Sequence, residues 1–230
     1  MILSHTHEFI FISNGKTGTT SIEAALAPYQ EGEEFERGVE GLYTPKHVPP
    51  ATLKAQLGAQ VWEEYFTFGF VRNPWDWFVS QYFWNWGEPP LSKRKLVKHP
   101  VSTLQEYWRE KKERKRGRNL DVFSAEDIYD TYDLLRQYRA VYQADSLFQY
   151  HYVHDPDGTP LLDFVGRFER ITEDFAKAMG HVELDVQLPH RNAASNRDHY
   201  RSYYTPETVD LISELYQMDV DAFGYEPPEL

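Results

Sequence analysis

Between Gly15 and Ser21 the chain reads GKTGTTS: two glycines, one lysine and four hydroxyl residues, Thr17, Thr19, Thr20 and Ser21. That combination suits an anion. Glycines let backbone N–H groups turn toward a ligand, the hydroxyls add donors, and Lys16 supplies a full positive charge. A second cation, Arg72, closes an apolar run and is followed by Asn73-Pro74, with Ser80 further along. A guanidinium can fork onto a phosphate, and a serine hydroxyl can complete the cradle. A third residue of interest is His47, in the proline-flanked stretch TPKHVPP. Imidazole titrates in the range useful for proton transfer, but without context a partly exposed loop histidine is the simpler account.

These residues need elements to hold them. Phe9 to Ser13 is a short aromatic and β-branched run with the composition of a buried strand. It stops at the turn dipeptide Asn14-Gly15. A helix then opens at Thr20-Ser21, with Glu23 placed for a capping-box contact and Ala24, Ala25 and Leu26 as helix formers. The helix start adds its positive dipole end to the loop. Tyr65 to Val71 predicts a second strand ending at Arg72, after which Asn73 is a good cap and Pro74 a good first helical residue. In that helix Trp75, Phe78, Val79, Tyr82 and Phe83 recur at core-facing spacing, while Trp77, Ser80, Gln81 and Trp84 share another face. Core packing explains most of these aromatics, with Trp77 or Trp84 a candidate platform for an adenine or sugar ring. Strand–loop–helix is thus built twice, each time with a cation at the strand's carboxyl end. In a parallel α/β sheet such ends converge on one crevice, so two anion sites on one ligand is the natural inference.

Two familiar alternatives fail on spacing and charge. The P-loop of nucleotide hydrolases requires G-x-x-x-x-G-K-[ST], and Gly15-Lys16-Thr17 completes only its end, because position 10 is Ile10. A kinase wants an acidic magnesium ligand after a strand, whereas the second strand ends in Arg72. The net charge of −12 argues against general nucleic-acid binding, which needs a basic surface. Absence of cysteine excludes disulfides, thiolate zinc sites and a cysteine nucleophile. His5 and His7 lack a nearby third ligand and read as a strand edge. With no stretch apolar enough for a signal peptide or membrane span, a soluble, cytoplasmic protein is expected.

Elsewhere, residues 29–44 read as an irregular loop. Pro50 to Leu57 reads as a short helix stopped by Gly58, placing His47 on the loop before it. Arg109 to Arg118 carries seven positive and two negative charges, read either as a solvated helix face or as a basic lip for an anionic acceptor. Leu120 to Asp145 is helical in two pieces, with Asp121 or Ser124 as cap. Phe148 to Val153 alternates as a strand, Asp155 to Gly158 is a turn, and Leu161 to Phe168 a further strand. A helix capped by Thr172 and stopped by Gly180 follows, and another closes the chain from about Pro206 to Met218.

The K-x-G-T-T after the first strand resembles the 5′-phosphosulfate loop of PAPS-dependent sulfotransferases, PAPS being 3′-phosphoadenosine 5′-phosphosulfate. R-x-P-x-x-x-x-x-S-x-Y, given by Arg72, Pro74, Ser80 and Tyr82, resembles their 3′-phosphate motif. The tail through Asp221, Phe223, Gly224 and Tyr225 is similar to the carbohydrate group, which includes the heparan sulfate 2-O-sulfotransferase-like enzymes and small bacterial members. One departure is Gly15, where the family usually has proline before the loop lysine. The resemblance implies an α/β fold, a P-loop-like three-layer domain with a short central parallel sheet flanked by helices. Residues 1–230 would form one domain with a basic helical insertion at about 87–120.

It further implies PAPS as co-substrate, 3′,5′-ADP as product, no metal, and an acceptor hydroxyl on a saccharide. Lys16, Thr17, Gly18, Thr19, Thr20, Ser21, Arg72 and Ser80 would bind the nucleotide. Arg191, Asn192 and Ser195 are candidates to close over it, or else an ordinary polar loop. The catalytic base in the 2-O-sulfotransferase-like branch is a histidine between the two motifs, and His47 is the only histidine between Lys16 and Arg72. Glu23 is the reserve. Lys16 would stabilise the leaving phosphate. An ATP-type kinase or hydrolase, or a non-catalytic 3′,5′-ADP-binding module, are the alternatives.

Overall fold

The computed structural model describes residues 1–31, 50–87, 122–141, 148–189 and 199–230. Strands β1 (Ile2–Ser4), β2 (Phe9–Ile12), β3 (Phe66–Val71) and β4 (Phe164–Arg167) form one sheet in the order β1-β2-β3-β4. β2, β3 and β4 run parallel, whereas β1 is antiparallel to β2. The sheet is therefore mixed, with an antiparallel edge strand added to the expected parallel set. Phe9 lies opposite Phe66 and Phe68 opposite Phe164, so the three parallel strands finish along one edge of the sheet.

Side chains alternate across β2 and split the core in two. Phe9 and Phe11 join Phe68, Phe70 and the helices α1 (Thr19–Leu26, through Ile22 and Leu26) and α6 (Ile171–His181, through Phe175 and Met179). Ile10 and Ile12 face the opposite way. They meet α2 (Pro50–Leu57), α3 (Ala59–Glu64), α4 (Pro74–Gly87), α5 (Ala125–Val141), α7 (Pro206–Leu215) and α8 (Gln217–Phe223) through residues such as Leu53, Trp62, Phe78, Ile128, Ile212 and Val220. Helices thus cover both faces of the sheet, an α/β arrangement.

Locally specified ends fall where the sequence puts them. Pro50 opens α2 and Gly58 follows its last residue. Asn73 Oδ1 accepts from the N–H groups of Trp75 (3.1 Å) and Asp76 (3.2 Å), capping α4. Ser124 caps α5 reciprocally with Asp127, and α5 is one helix rather than two pieces. Other expectations are corrected. Glu23 makes no capping box, because its carboxylate accepts from Ser13 Oγ at 2.8 Å and pairs with the Met1 ammonium at 3.5 Å. Thr172 does not cap α6, since a 3-10 turn at Phe168–Arg170 has already begun the winding, and Gly180 lies inside the helix. The expected strand from Leu161 starts only at Phe164, and the closing helix breaks at Tyr216 into α7 and α8. Phe83 is 37% exposed at the core's edge, whereas Trp77 is fully buried.

Residues 148–153 are not a strand. Gln149–Tyr152 form a 3-10 turn because Asp219, on α8, accepts both the Gln149 N–H (3.0 Å) and the Tyr150 N–H (2.8 Å). Successive strand N–H groups point apart and could not share one carboxylate. His47, the loop expected over 29–44 beyond residue 31, the basic segment and Arg191, Asn192 and Ser195 lie outside the described residues. Among the described residues no helix is long and apolar enough to cross a membrane.

Asp219 generates a pH prediction. Burial pushes its carboxyl up to about 6 from an ordinary 3.8, against the opposing pull of its two N–H donors. A folded-state pKa above the unfolded one means the protonated form is favoured by folding, and that stabilisation is lost as pH rises through about 6. Asp219→Asn removes the dependence. The stability of the wild type relative to the variant should fall, by on the order of 2–3 kcal/mol, between about pH 4 and pH 7 in denaturant titrations.

Candidate active site

The loop leaving β2 is shaped by what its carbonyls bond to. Asn14 O accepts the Thr17 hydroxyl at 2.8 Å, Gly15 O accepts the Trp77 indole N–H at 2.9 Å, and Lys16 O accepts an Arg72 NH1 hydrogen at 3.0 Å. In a trans peptide the C=O and the next N–H point in opposite directions. Three carbonyls drawn toward the protein therefore turn the N–H groups of Gly15, Lys16 and Thr17 the other way. Gly15, which has no side chain to restrain its backbone, is held by the Trp77 indole.

Lys16 (φ 68°) and Gly18 (φ 83°) both occupy the left-handed region. For a lysine this is uncommon and costs about 1–3 kcal/mol, the kind of strain that concentrates at functional sites. Gly18 is the cap of α1, and its N–H and those of Thr19 and Thr20 have no acceptor among the described residues. Ser21 N–H returns to Gly18 O at 3.0 Å. The Thr17 hydroxyl hydrogen is committed to Asn14, so its backbone N–H is what this residue offers a ligand.

Arg72 follows directly on β3 and is buried. Its Nε and NH2 both reach Asp76 Oδ2 at 2.8 Å, NH1 reaches Lys16 O, and its carbon lies 4.1 Å from the Phe168 ring centroid. Charge pairing and the aromatic face fix the plane of the fork. Ser80, buried, lies one turn beyond Asp76 and Trp77 on α4, and Trp84 one turn beyond that. The row faces the loop: Trp77 holds Gly15, and the Lys16 ammonium sits 4.3 Å from the Trp84 ring centroid. Trp77 is thus a structural clamp, while Trp84 is 63% exposed beside Lys16.

The end of β4 supplies a third wall, built from Phe168, Glu169 and Ile171. Phe168 and Ile171 press on Gly18: a Cβ there would overlap Ile171 Cδ1 and stand 3.3 Å from Phe168 Cδ2. Glu169 accepts the Asn73 N–H at 2.5 Å and the Tyr225 hydroxyl at 3.1 Å. Burial, followed by the Glu169 carboxylate, pushes the Tyr225 phenol well up, so it stays a donor. Asp76 was legible as an i+4 partner for Arg72. Phe168 and Glu169 carried no local signal.

A sequence model described as the sulfotransferase family matches residues 1–226, nearly the whole chain. The chain belongs to the sulfotransferase family. It is accordingly a transferase of the sulfuryl-transfer class. An uncharacterized protein of Archaeoglobus fulgidus is 23% identical over 154 residues, covering 67% of this chain and 98% of that protein. No solved structure gives a significant match. Among the described residues of this sulfotransferase, no group of three or more His, Asp or Glu side chains is placed to hold a metal ion. The structure brings Arg72 onto the loop that runs from Lys16 to Ser21 and places Ser80 one turn beyond Asp76 on α4, whereas His47, Arg191, Asn192 and Ser195 lie outside the described residues.

Gly18→Ala combines a left-handed φ with overlap onto Ile171. It should cost about 2–4 kcal/mol in chemical unfolding, with part of the loss restored in a Gly18→Ala, Ile171→Ala double variant. Equal, additive losses would show that the contact with Ile171 is not the cause.

Proposed function

We propose that this sulfotransferase takes its sulfuryl group from PAPS and delivers it to a hydroxyl on a saccharide. The observation that carries the reading is the 3.0 Å contact between Arg72 and Lys16 O, which joins two anion-binding motifs 56 positions apart into one site. Outward N–H groups, a lysine and a helix start fit a phosphosulfate, and a fixed guanidinium with a neighbouring serine fits a second phosphate. Lys16 and the N–H groups of Gly18, Thr19 and Thr20 hold the 5′ end, with Thr17 and Ser21 beside them. Arg72 and Ser80 hold the 3′-phosphate, and Arg191, Asn192 and Ser195 close over the nucleotide.

Bound PAPS supplies the sulfuryl group and departs as 3′,5′-ADP. What the chain contributes is proton and charge management. His47 takes the proton of the acceptor hydroxyl as its oxygen bonds to sulfur. Lys16 and the loop N–H groups stabilise the negative charge left on the 5′-phosphate as its bond to sulfur breaks. Glu23, the alternative base, is held by Ser13 and Met1, which strengthens the assignment to His47. No metal is needed for either task. The saccharide acceptor rests on the resemblance of the tail to the carbohydrate group.

Thermal unfolding with 3′,5′-ADP, ADP and magnesium-ATP tests the donor site. At a hundred times its dissociation constant a ligand adds about 2.7 kcal/mol, and at roughly 2–4 °C per kcal/mol the expected shift with 3′,5′-ADP is several degrees. Arg72→Ala should abolish that shift relative to its own unliganded baseline. A larger shift with magnesium-ATP would overturn the reading in favour of a kinase or hydrolase. For the base, His47→Ala should lower turnover of PAPS by ~10²–10⁴ while sparing 3′,5′-ADP binding. Turnover within threefold of wild type would remove His47 from the mechanism.

A further inference from the structure

We infer that Gln149 is a positioning residue for the nucleotide site: held by Asp219, it fixes the Arg72 peptide and thereby sets the preference for a 3′-phosphate. The inference rests on the PAPS reading above. β3 last pairs with β4 at Val71 and with β2 at Gly69, so Arg72 lies beyond the ladder on both sides. There the Gln149 side chain takes the place of a neighbouring strand. Its Oε1 accepts the Arg72 N–H at 2.8 Å, and its Nε2 donates to the Arg72 carbonyl at 2.8 Å. The same Oε1 lies 3.4 Å from Asn14 Nδ2, which also donates to Phe70 O at 3.1 Å. One amide therefore spans the two strand ends from which Lys16 and Arg72 project.

Gln149 is itself anchored. Asp219 Oδ2 accepts its main-chain N–H at 3.0 Å and Oδ1 accepts that of Tyr150 at 2.8 Å. All four residues, Asn14, Arg72, Gln149 and Asp219, are buried. A buried donor or acceptor left without its partner is costly, so removing the Gln149 amide obliges the Arg72 peptide to find another arrangement. A phosphate fork tolerates little misplacement. Beside the Arg72 contact to Lys16 O, the 5′ side of the site keeps two clamps that do not pass through Arg72, Trp77 on Gly15 O and the Thr17 hydroxyl on Asn14 O. Loss of Gln149 should accordingly be felt at the 3′-phosphate more than at the 5′ end.

The experiment is calorimetric titration of 3′,5′-ADP and of ADP into wild type, Gln149→Leu and Asp219→Asn, read as the ratio of the two dissociation constants. Wild type must prefer 3′,5′-ADP; if it does not, the PAPS reading fails at that step and the variants are not needed to show it. Given that preference, Gln149→Leu is expected to reduce the ratio by about tenfold or more, with ADP binding changed less than about threefold. Asp219→Asn should shift the ratio in the same direction by a smaller factor, and it carries the test if Gln149→Leu does not fold. A preserved ratio, or equal weakening of both ligands, would overturn the inference and leave Gln149 a structural residue alone.

Discussion

The bond from the Arg72 guanidinium to the Lys16 carbonyl is the contact on which the rest of the site depends. A loop of glycine and threonine has no intrinsic reason to present its N–H groups on one side. It does so here because Asn14, Gly15 and Lys16 each surrender a carbonyl to a donor from within the protein. Peptide planarity converts those three acceptor contacts into an outward-facing set of donors. The left-handed conformation of Lys16 is the accompanying strain, held in place by Arg72, just past β3, and by Trp77 on α4.

That arrangement requires a cation to be buried, which is expensive without a partner. Asp76 supplies the charge, at 2.8 Å from two guanidinium nitrogens, and Phe168 covers the face of the fork. The same Phe168 presses against Gly18, so one ring restrains both the arginine and the turn into α1. Glu169, next in sequence, holds the N–H of Asn73 where α4 begins. The ends of β2, β3 and β4 are in this way tied to one another by side chains as well as by the sheet. In an acidic protein of net charge −12, two cations, Lys16 and Arg72, are brought together and oriented at this edge.

Much of this was legible in the sequence wherever the cause was local. Asn73-Pro74 and Pro50…Gly58 mark helix ends through the conformations those residues prefer, and the structure has the ends there. The two strand–loop–helix units followed from composition, and their convergence followed from parallel pairing. What could not be read depended on distant partners. Glu23 looks like a capping residue until Ser13 and the chain's own amino terminus claim its carboxylate. Phe148 to Val153 alternates like a strand, but Asp219, seventy positions away from Gln149, gathers two successive N–H groups and winds the segment. Trp77 and Trp84 were rightly placed on one face. Which of them is clamp and which is exposed was decided by Gly15 and Lys16 across the site.

The back of the site is built by residues far along the chain. Tyr225 donates to the Glu169 carboxylate that holds Asn73, and its ring lies 4.6 Å from the Arg167 guanidinium at the end of β4. Arg167 in turn reaches the Phe223 carbonyl, and Asp219 on the same helix holds the turn that carries Gln149. The carboxyl-terminal helix thus braces both the β3 and the β4 exits without supplying a candidate ligand of its own. This gives a physical reason why the match to the family extends to residue 226. A chain ending before α8 would keep every donor in the loop and the fork but would lose what aims them.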